Sequence, residues 1–284
     1  MTDIKFIGTN QVELVNSLSE NKISPTQVGE NFIEFSFNSL SKDSDDFYHF
    51  AITGSNIQVS GQITEVHNDY QFFNLFAGCE EITDASQLIL SAPTMKDFCY
   101  ANMFLDCTNL TSPPQIQAST LDEWCYSSMF GNCSSLTAVP TLSVTTLAPY
   151  CYYCMFYGCK SLSSAPYLPA QTLQDWCYNS MFYECENLTS ISADFNSWGE
   201  NATTNWVTGI ETLGVFWNDN VTEIHGVDNI PVTWTFNEEQ KDHLTFTAIN
   251  NNSKIVLNQV GTPSSVNINY RKNNGTWSTY NFGD

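Results

Sequence analysis

Cys125-Tyr-Ser-Ser-Met-Phe-Gly-Asn-Cys133 returns as Cys151-Tyr-Tyr-Cys-Met-Phe-Tyr-Gly-Cys159 and again as Cys177-Tyr-Asn-Ser-Met-Phe-Tyr-Glu-Cys185. Cys99-Tyr-Ala-Asn-Met-Phe-Leu-Asp-Cys107 precedes them, so four copies follow one another at a single constant interval. Leu110, Leu136, Leu162 and Leu188 keep the same register, as do Pro114, Pro140 and Pro166. A fixed period of this size marks a repeat solenoid, in which no copy buries its apolar stripe alone and each stacks on its neighbours. A looser copy stands in front: Leu75-Phe76 and Cys79, with Cys79 set slightly further from Cys107 than the constant interval allows. An extra pair of residues near 87–90 would account for the difference.

Within one copy, Leu121, Trp124, Cys125, Ser128 and Met129 follow the i, i+3, i+4, i+7, i+8 spacing of a short amphipathic helix. Thr120 suits its N-cap with Glu123 as the capping-box partner; Thr172 with Asp175 and Thr94 with Asp97 keep part of that signature. Gly131 and Gly158 fall where such a helix should stop. Residues 136–142 (LTAVPTL) are too short and too proline-marked for a helix, and predict an extended strand. Each coil is thus expected to be a strand plus a short helix.

The copies, for example Cys159-Lys-Ser-Leu-Ser-Ser-Ala-Pro-Tyr-Leu-Pro-Ala-Gln-Thr-Leu-Gln-Asp-Trp-Cys-Tyr-Asn-Ser-Met-Phe, resemble the BspA-type leucine-rich repeats of surface proteins of gut Bacteroidetes and of tail or fibre proteins of their phages. Val59-Ser60-Gly61-Gln62-Ile63 and 72–76 resemble the opening coil of those proteins, and 194–236 their closing segment, so the resemblance spans about residues 48–283. It implies a leucine-rich repeat solenoid with β-rich modules at both ends. It says less about function, because that architecture serves recognition of many unrelated partners.

The chain divides accordingly. Residues 1–66 hold no repeat and no tryptophan, and 32–37, 48–52 and 56–60 alternate or cluster apolar residues as strands do. They predict a β-rich head that caps the open first coil. The solenoid follows at 67–190. A capping segment at 191–241 brings Trp198, Trp206, Trp217 and Trp234 without period, as expected of side chains covering the last exposed core layer; stacking on a glycan is the alternative. A small β module occupies 242–284, with strands at 266–270 and 276–280 flanking Asn273-Asn-Gly275, a hairpin signal.

Composition narrows the function. With 9 basic and 30 acidic residues the net charge is −21, which repels phosphate backbones and anionic lipid surfaces. Nucleic acid is not an expected partner, and no run approaches the roughly 18 apolar residues of a membrane span. The opening Met-Thr-Asp-Ile-Lys-Phe-Ile-Gly carries no secretory pattern, so synthesis and folding in the cytoplasm are expected.

Eight of the ten cysteines lie in the two repeat columns, the placement of buried reduced thiols; disulfides between coils and a metal are the alternatives weighed. Cys154 replaces Ser128 and Ser180 of the neighbouring copies, which makes Cys151-Tyr-Tyr-Cys154 an accident of the repeat rather than a redox or zinc pair. The acidic run at 41–46 (SKDSDD) lacks the glycine and distal glutamate of a calcium loop and reads as a solvated turn. His49, His67, His225 and His243 are scattered, and neither a nucleophile motif nor a glycine-rich phosphate loop occurs. No catalytic residue, cofactor or metal site is expected.

What remains is a contact surface. Only Lys96 and Lys160 carry positive charge in the coils, leaving hydroxyls, amides and the rings of Tyr153, Tyr157, Tyr167 and Tyr183 for a protein or glycan partner. Tyr270, Trp277 and Tyr280 in the last module have little sequence left to bury them, and predict an assembly tail that packs on a second copy or a neighbouring protein. With the resemblance, these features lead to the expectation of a structural or adhesive part of a phage virion, tail or head fibre-like. It would be assembled in the host cytoplasm, form a homo-oligomer, and contact other virion proteins or a host-surface glycan or protein. A bacterial cell-surface adhesin is the second expectation.

Overall fold

The computed structural model describes residues 2–37, 40, 43–199, 201–210, 212–218, 220–221, 230–231 and 234–236, together with the backbone of 267–270 and 278–281. Two compact units result, Met1–Phe236 and Asn237–Asp284.

The first unit begins with seven strands: β1 (Thr2–Ile7), β2 (Val12–Asn16), β3 (Lys22–Ile23), β4 (Gln27–Val28), β5 (Phe32–Phe37), β6 (Tyr48–Ile52) and β7 (Ile57–Ile63). β8 (Ile82–Leu90) and β9 (Gln115–Ile116) belong to the first coils. One sheet has the order β4-β5-β1-β7-β8-β9 and a second the order β3-β2-β6. β1 pairs antiparallel with β5 and β7, whereas β7, β8 and β9 are parallel. The head therefore passes into the coils through β7. Alternation in β1 and β5 places Ile4, Phe6, Ile33, Phe35 and Phe37 in the core between the layers. Gly61 of β7 sits at φ +118°, where a Cβ would lie 2.0 Å from the carbonyl oxygen of Asp3; only glycine lets the two strands approach.

β6 stands in for a coil. The amide of Phe50 donates to the carbonyl of Leu75, the thiol of Cys79 donates to the carbonyl of Phe50, and the rings of Phe50 and Phe76 stack at 5.3 Å. A head strand thereby occupies the face that the first coil would otherwise leave bare.

Each coil differs from the strand-plus-helix expectation. The segment 98–107 is a chain of overlapping turns. The amides of Cys99, Ala101, Met103, Leu105 and Cys107 donate to carbonyls three residues back. Those of Phe98, Tyr100, Asn102, Phe104 and Asp106 donate instead to Glu123, Cys125, Ser127, Met129 and Gly131 of the next coil. Every fourth residue has positive φ: Phe98, Asn102 and Asp106, then Trp124, Ser128 and Asn132, then Tyr150, Cys154 and Gly158, then Trp176, Ser180 and Glu184. That places φ > 0 at the third position of alternate turns, as type II turns require.

A helix would spend these amides internally; here half of them join neighbouring coils in a parallel ladder. The buried pairs recur with a period of 4, and over two turns this differs from the roughly 3.6 of a helix by less than one residue. Spacing alone therefore could not separate the two conformations.

The expected strand at 136–142 is also absent as a ladder. Between coils this side of the stack is joined by β8 with β9 and by single bridges such as Thr146 to Thr172 and Ser164 to Ser190. β10 (Ser190–Ser192), β11 (Val215–Trp217) and β12 (Thr235–Phe236) then form a parallel sheet at the far end. The extra pair of residues in the first copy lies in β8: Asp84 bridges Ser112, beyond the ordinary repeat interval, but Ile89 pairs with Gln115, back at that interval.

Stacking turns each repeat column into a buried ladder. Phe76, Phe104, Phe130, Phe156 and Phe182 stack with centroids 4.8 to 5.8 Å apart. Phe72, Tyr100, Tyr126, Tyr152 and Tyr178 stack at 5.5 to 6.1 Å. The Phe ladder ends on Trp206, tilted by 53°, which meets Trp198, Phe195 and Phe216. These edge-to-face rings terminate the stack by refusing a further parallel layer. Trp234 covers Gly214 and donates its indole N–H to the carbonyl of Thr212, so Trp198, Trp206 and Trp234 stand in the closing layer.

In the second unit, β13 (Asn267–Tyr270) and β14 (Ser278–Asn281) form an antiparallel hairpin with Tyr270 opposite Ser278 and Tyr280 opposite Ile268. Trp277 and the rest of the module expected at 242–284 lie outside the described residues.

Candidate contact surface

The thiols come first, because they are where chemistry would be sought. None of the ten cysteines is in a disulfide, and all but Cys154 are buried. Cys107, Cys133, Cys159 and Cys185 each donate to the carbonyl of a phenylalanine in the preceding coil, Phe76, Phe104, Phe130 and Phe156, at 3.0 to 3.1 Å. Cysteine suits this column because it is small and apolar and still supplies a donor. Burial pushes the thiols of Cys79, Cys99, Cys177 and Cys185 up to about 12, so they stay protonated and unreactive at neutral pH. Half-buried Cys154 is also raised by burial. Among the described residues no three His, Cys, Asp or Glu side chains group as metal ligands.

The first positive-φ residue of each turn run builds an aromatic column that includes Trp124, expected on the apolar stripe of a helix. Tyr70, Phe98, Trp124, Tyr150 and Trp176 are all half-buried and stack in one column, with planes 3 to 9° apart and centroids 3.9 to 5.9 Å apart. The other two positive-φ columns hold mainly Asn, Ser, Gly and Asp, which enter that region at little strain, whereas bulky aromatic residues do so at a cost of order 1 kcal/mol each. Stacking, at about 0.5 to 1.5 kcal/mol per pair, offsets much of this. The signal was present in the sequence as an aromatic residue before each first-column cysteine, at 98, 124, 150 and 176.

Carboxylates flank the column. Asp97 is pushed up by its own burial and by Asp122, which is also its hydrogen-bond partner, with smaller contributions from Asp69 and Glu123. This edge of the stack is acidic.

The four tyrosines expected on the surface do not form one group. Tyr153 packs against Trp124 and Tyr150, at 5.3 and 6.1 Å, and so widens the aromatic column. Tyr157 and Tyr183 are half-buried equivalents in successive coils; the Tyr157 ring lies over Gly131 and its hydroxyl accepts from the Asn132 amide at 3.2 Å. Tyr167 is 51% exposed in the segment between two turn runs, and its hydroxyl donates to the carboxylate of Asp194. Of the assembly-tail residues, Tyr270 and Tyr280 are on β13 and β14 of the second unit.

No family model, no curated protein and no solved structure matches this chain. Among the described residues, no helix is long and apolar enough to cross a membrane.

Proposed function

We propose that this protein is a non-enzymatic structural or adhesive component of a phage virion, tail or head fibre-like, in which a leucine-rich repeat solenoid presents a contact surface to other proteins or to glycans. The observation that carries the contact role is the aromatic column from Tyr70 to Trp176. Its rings are held half-exposed, in a backbone conformation unfavourable for bulky residues, on coils locked together by their own amides. The virion assignment draws on the resemblance of the repeats to BspA-type proteins. Rigid coils with both end faces covered suit a part that must hold a surface in place without a catalytic centre.

Mass spectrometry of purified particles tests the assignment: peptides of this chain should co-purify with the major virion proteins at a constant ratio through a density gradient. Recovery only in a bacterial envelope fraction would overturn it in favour of a cell-surface adhesin. In the same reading, residues 244–284 attach the solenoid to a second copy or to a virion neighbour. A chain lacking them should be monomeric by light scattering and absent from particles; a truncated chain that still oligomerises and still enters particles refutes the attachment role.

A further inference from the structure

A groove of about 500 Å³ opens between the third and fourth full coils, lined by Thr145, Thr146, Leu147, Gln171, Thr172 and Gln174, with Pro169 at its edge. Its volume is within the range of small-ligand sites. The parallel bridge between Thr146 and Thr172 fixes the two walls relative to each other, so the groove is pre-formed.

The coil before it supplies an internal control. There the equivalent hydroxyls, Ser119 and Thr120, donate to the carbonyl of Pro93, at 2.8 and 3.2 Å, and are used up within the stack. In the groove, no side chain of Thr145, Thr146, Gln171, Thr172 or Gln174 has a hydrogen-bond partner among the described residues. Three solvent-exposed hydroxyls and two solvent-exposed carboxamides are thus open to an external partner, beside the buried Leu147.

We infer that this groove binds a neutral glycan. The lining combines hydroxyls and carboxamides, each both donor and acceptor, with the apolar Leu147 and Pro169 and no charged side chain, which matches a molecule of many hydroxyls and C–H faces. A chain of net charge −21 disfavours an anionic ligand, and nothing in the lining would pair with a cation. The inference rests on reading the stack as a contact surface, and names the ligand class for one place on it.

The test is saturation-transfer NMR on the full chain with cellotriose, maltotriose, mannotriose and chitotriose, with a sialylated trisaccharide as the anionic control. Trp176, close in sequence to Gln174, serves as a fluorescence reporter. At least one neutral sugar should receive saturation, and the sialylated sugar should not. Thr146→Val combined with Thr172→Val keeps shape but removes two hydroxyls, and should weaken binding about tenfold or more. Gln171→Ala should act in the same direction, while Thr120→Val should leave binding unchanged.

Three results would overturn the inference. These are no transfer to any neutral sugar, equal transfer to the sialylated one, or undiminished binding by both groove variants at an unchanged denaturation midpoint. Particle composition and sugar binding are separate readouts, so loss of the virion assignment would leave a positive titration standing, and the reverse.

Discussion

The thiol of Cys133 donates a 3.1 Å hydrogen bond to the carbonyl oxygen of Phe104, one coil earlier, and the same bond recurs up and down the stack. It accounts for the second cysteine column better than redox or metal chemistry does. In the central coil, Cys159→Ala should destabilise by about 1 to 3 kcal/mol, through a small cavity and a lost donor. Cys159→Val keeps the site filled, with a slightly larger apolar side chain, and removes the donor. If urea denaturation finds the Val variant as stable as the parent, the thiol contributes packing alone.

Alkaline pH should unfold the stack. Burial pushes the thiols of Cys79, Cys99, Cys177 and Cys185 up to about 12 in the folded chain, whereas an unfolded thiol titrates near about 8.5. Between those values the folded state holds protons that the unfolded state releases. Their contribution is therefore complete below about pH 8.5 and is lost as pH rises, by up to about 1.4 kcal/mol per pH unit per thiol. The denaturation midpoint should fall steeply from about pH 8 to about pH 10; a flat profile would mean that the thiols are not buried.

Truncation of the Phe ladder discriminates packing from surface decoration. Phe156 is fully buried between Phe130 and Phe182, at 5.5 and 5.8 Å, so Phe156→Ala should cost about 3 to 5 kcal/mol and Phe156→Leu much less. Equal shifts in midpoint for the two variants would place this residue outside the core.

The neighbouring ladder carries an uncompensated polar group. The hydroxyls of Tyr100 and Tyr126 are buried with no hydrogen-bond partner among the described residues. An unsatisfied buried hydroxyl costs about 1 to 3 kcal/mol, and Phe72 already fills this column in the first coil. Tyr126→Phe should accordingly be neutral or stabilising by about 1 kcal/mol. A loss of stability in thermal denaturation would reveal a partner for the hydroxyl.

Backbone conformation supplies a pair of opposite signs. Gly158 has φ +69°, and a Cβ there would lie 2.4 Å from Oδ1 of Asn132, so Gly158→Ala should destabilise by about 1 to 3 kcal/mol. Glu184 occupies the equivalent position in the next coil with φ 57° and an exposed side chain. Glu184→Gly should gain about 1 kcal/mol, as relief of a left-handed residue does. Calorimetry showing both variants shifted in one direction would contradict the turn geometry.

The repeat period, the residues inside each coil and the presence of a small excess of chain, expected near 87–90 and found between Asp84 and Ile89, were legible in the sequence, because stacking sets each side chain beside its equivalent and so copies core requirements at a fixed interval. Local conformation was not. Cys99, Tyr100, Met103 and Phe104 satisfy a helical spacing as well as the spacing of overlapping turns, and the choice between them is made by amides such as that of Tyr100, whose acceptor on Cys125 lies a full coil away. The outward surface depended on the same stacking. Trp124 read as a member of an apolar helix stripe until successive coils aligned it with Phe98, Tyr150 and Trp176 in a half-exposed column. Likewise, Thr172 suited a helix N-cap in the sequence, and only the stacked coils bring it beside Thr145, Thr146, Gln171 and Gln174 along a groove. Which side chains face inward is written into a repeat by composition at each position; which carbonyl accepts each amide, and which polar groups are left over, is decided only when the neighbouring coil is in place.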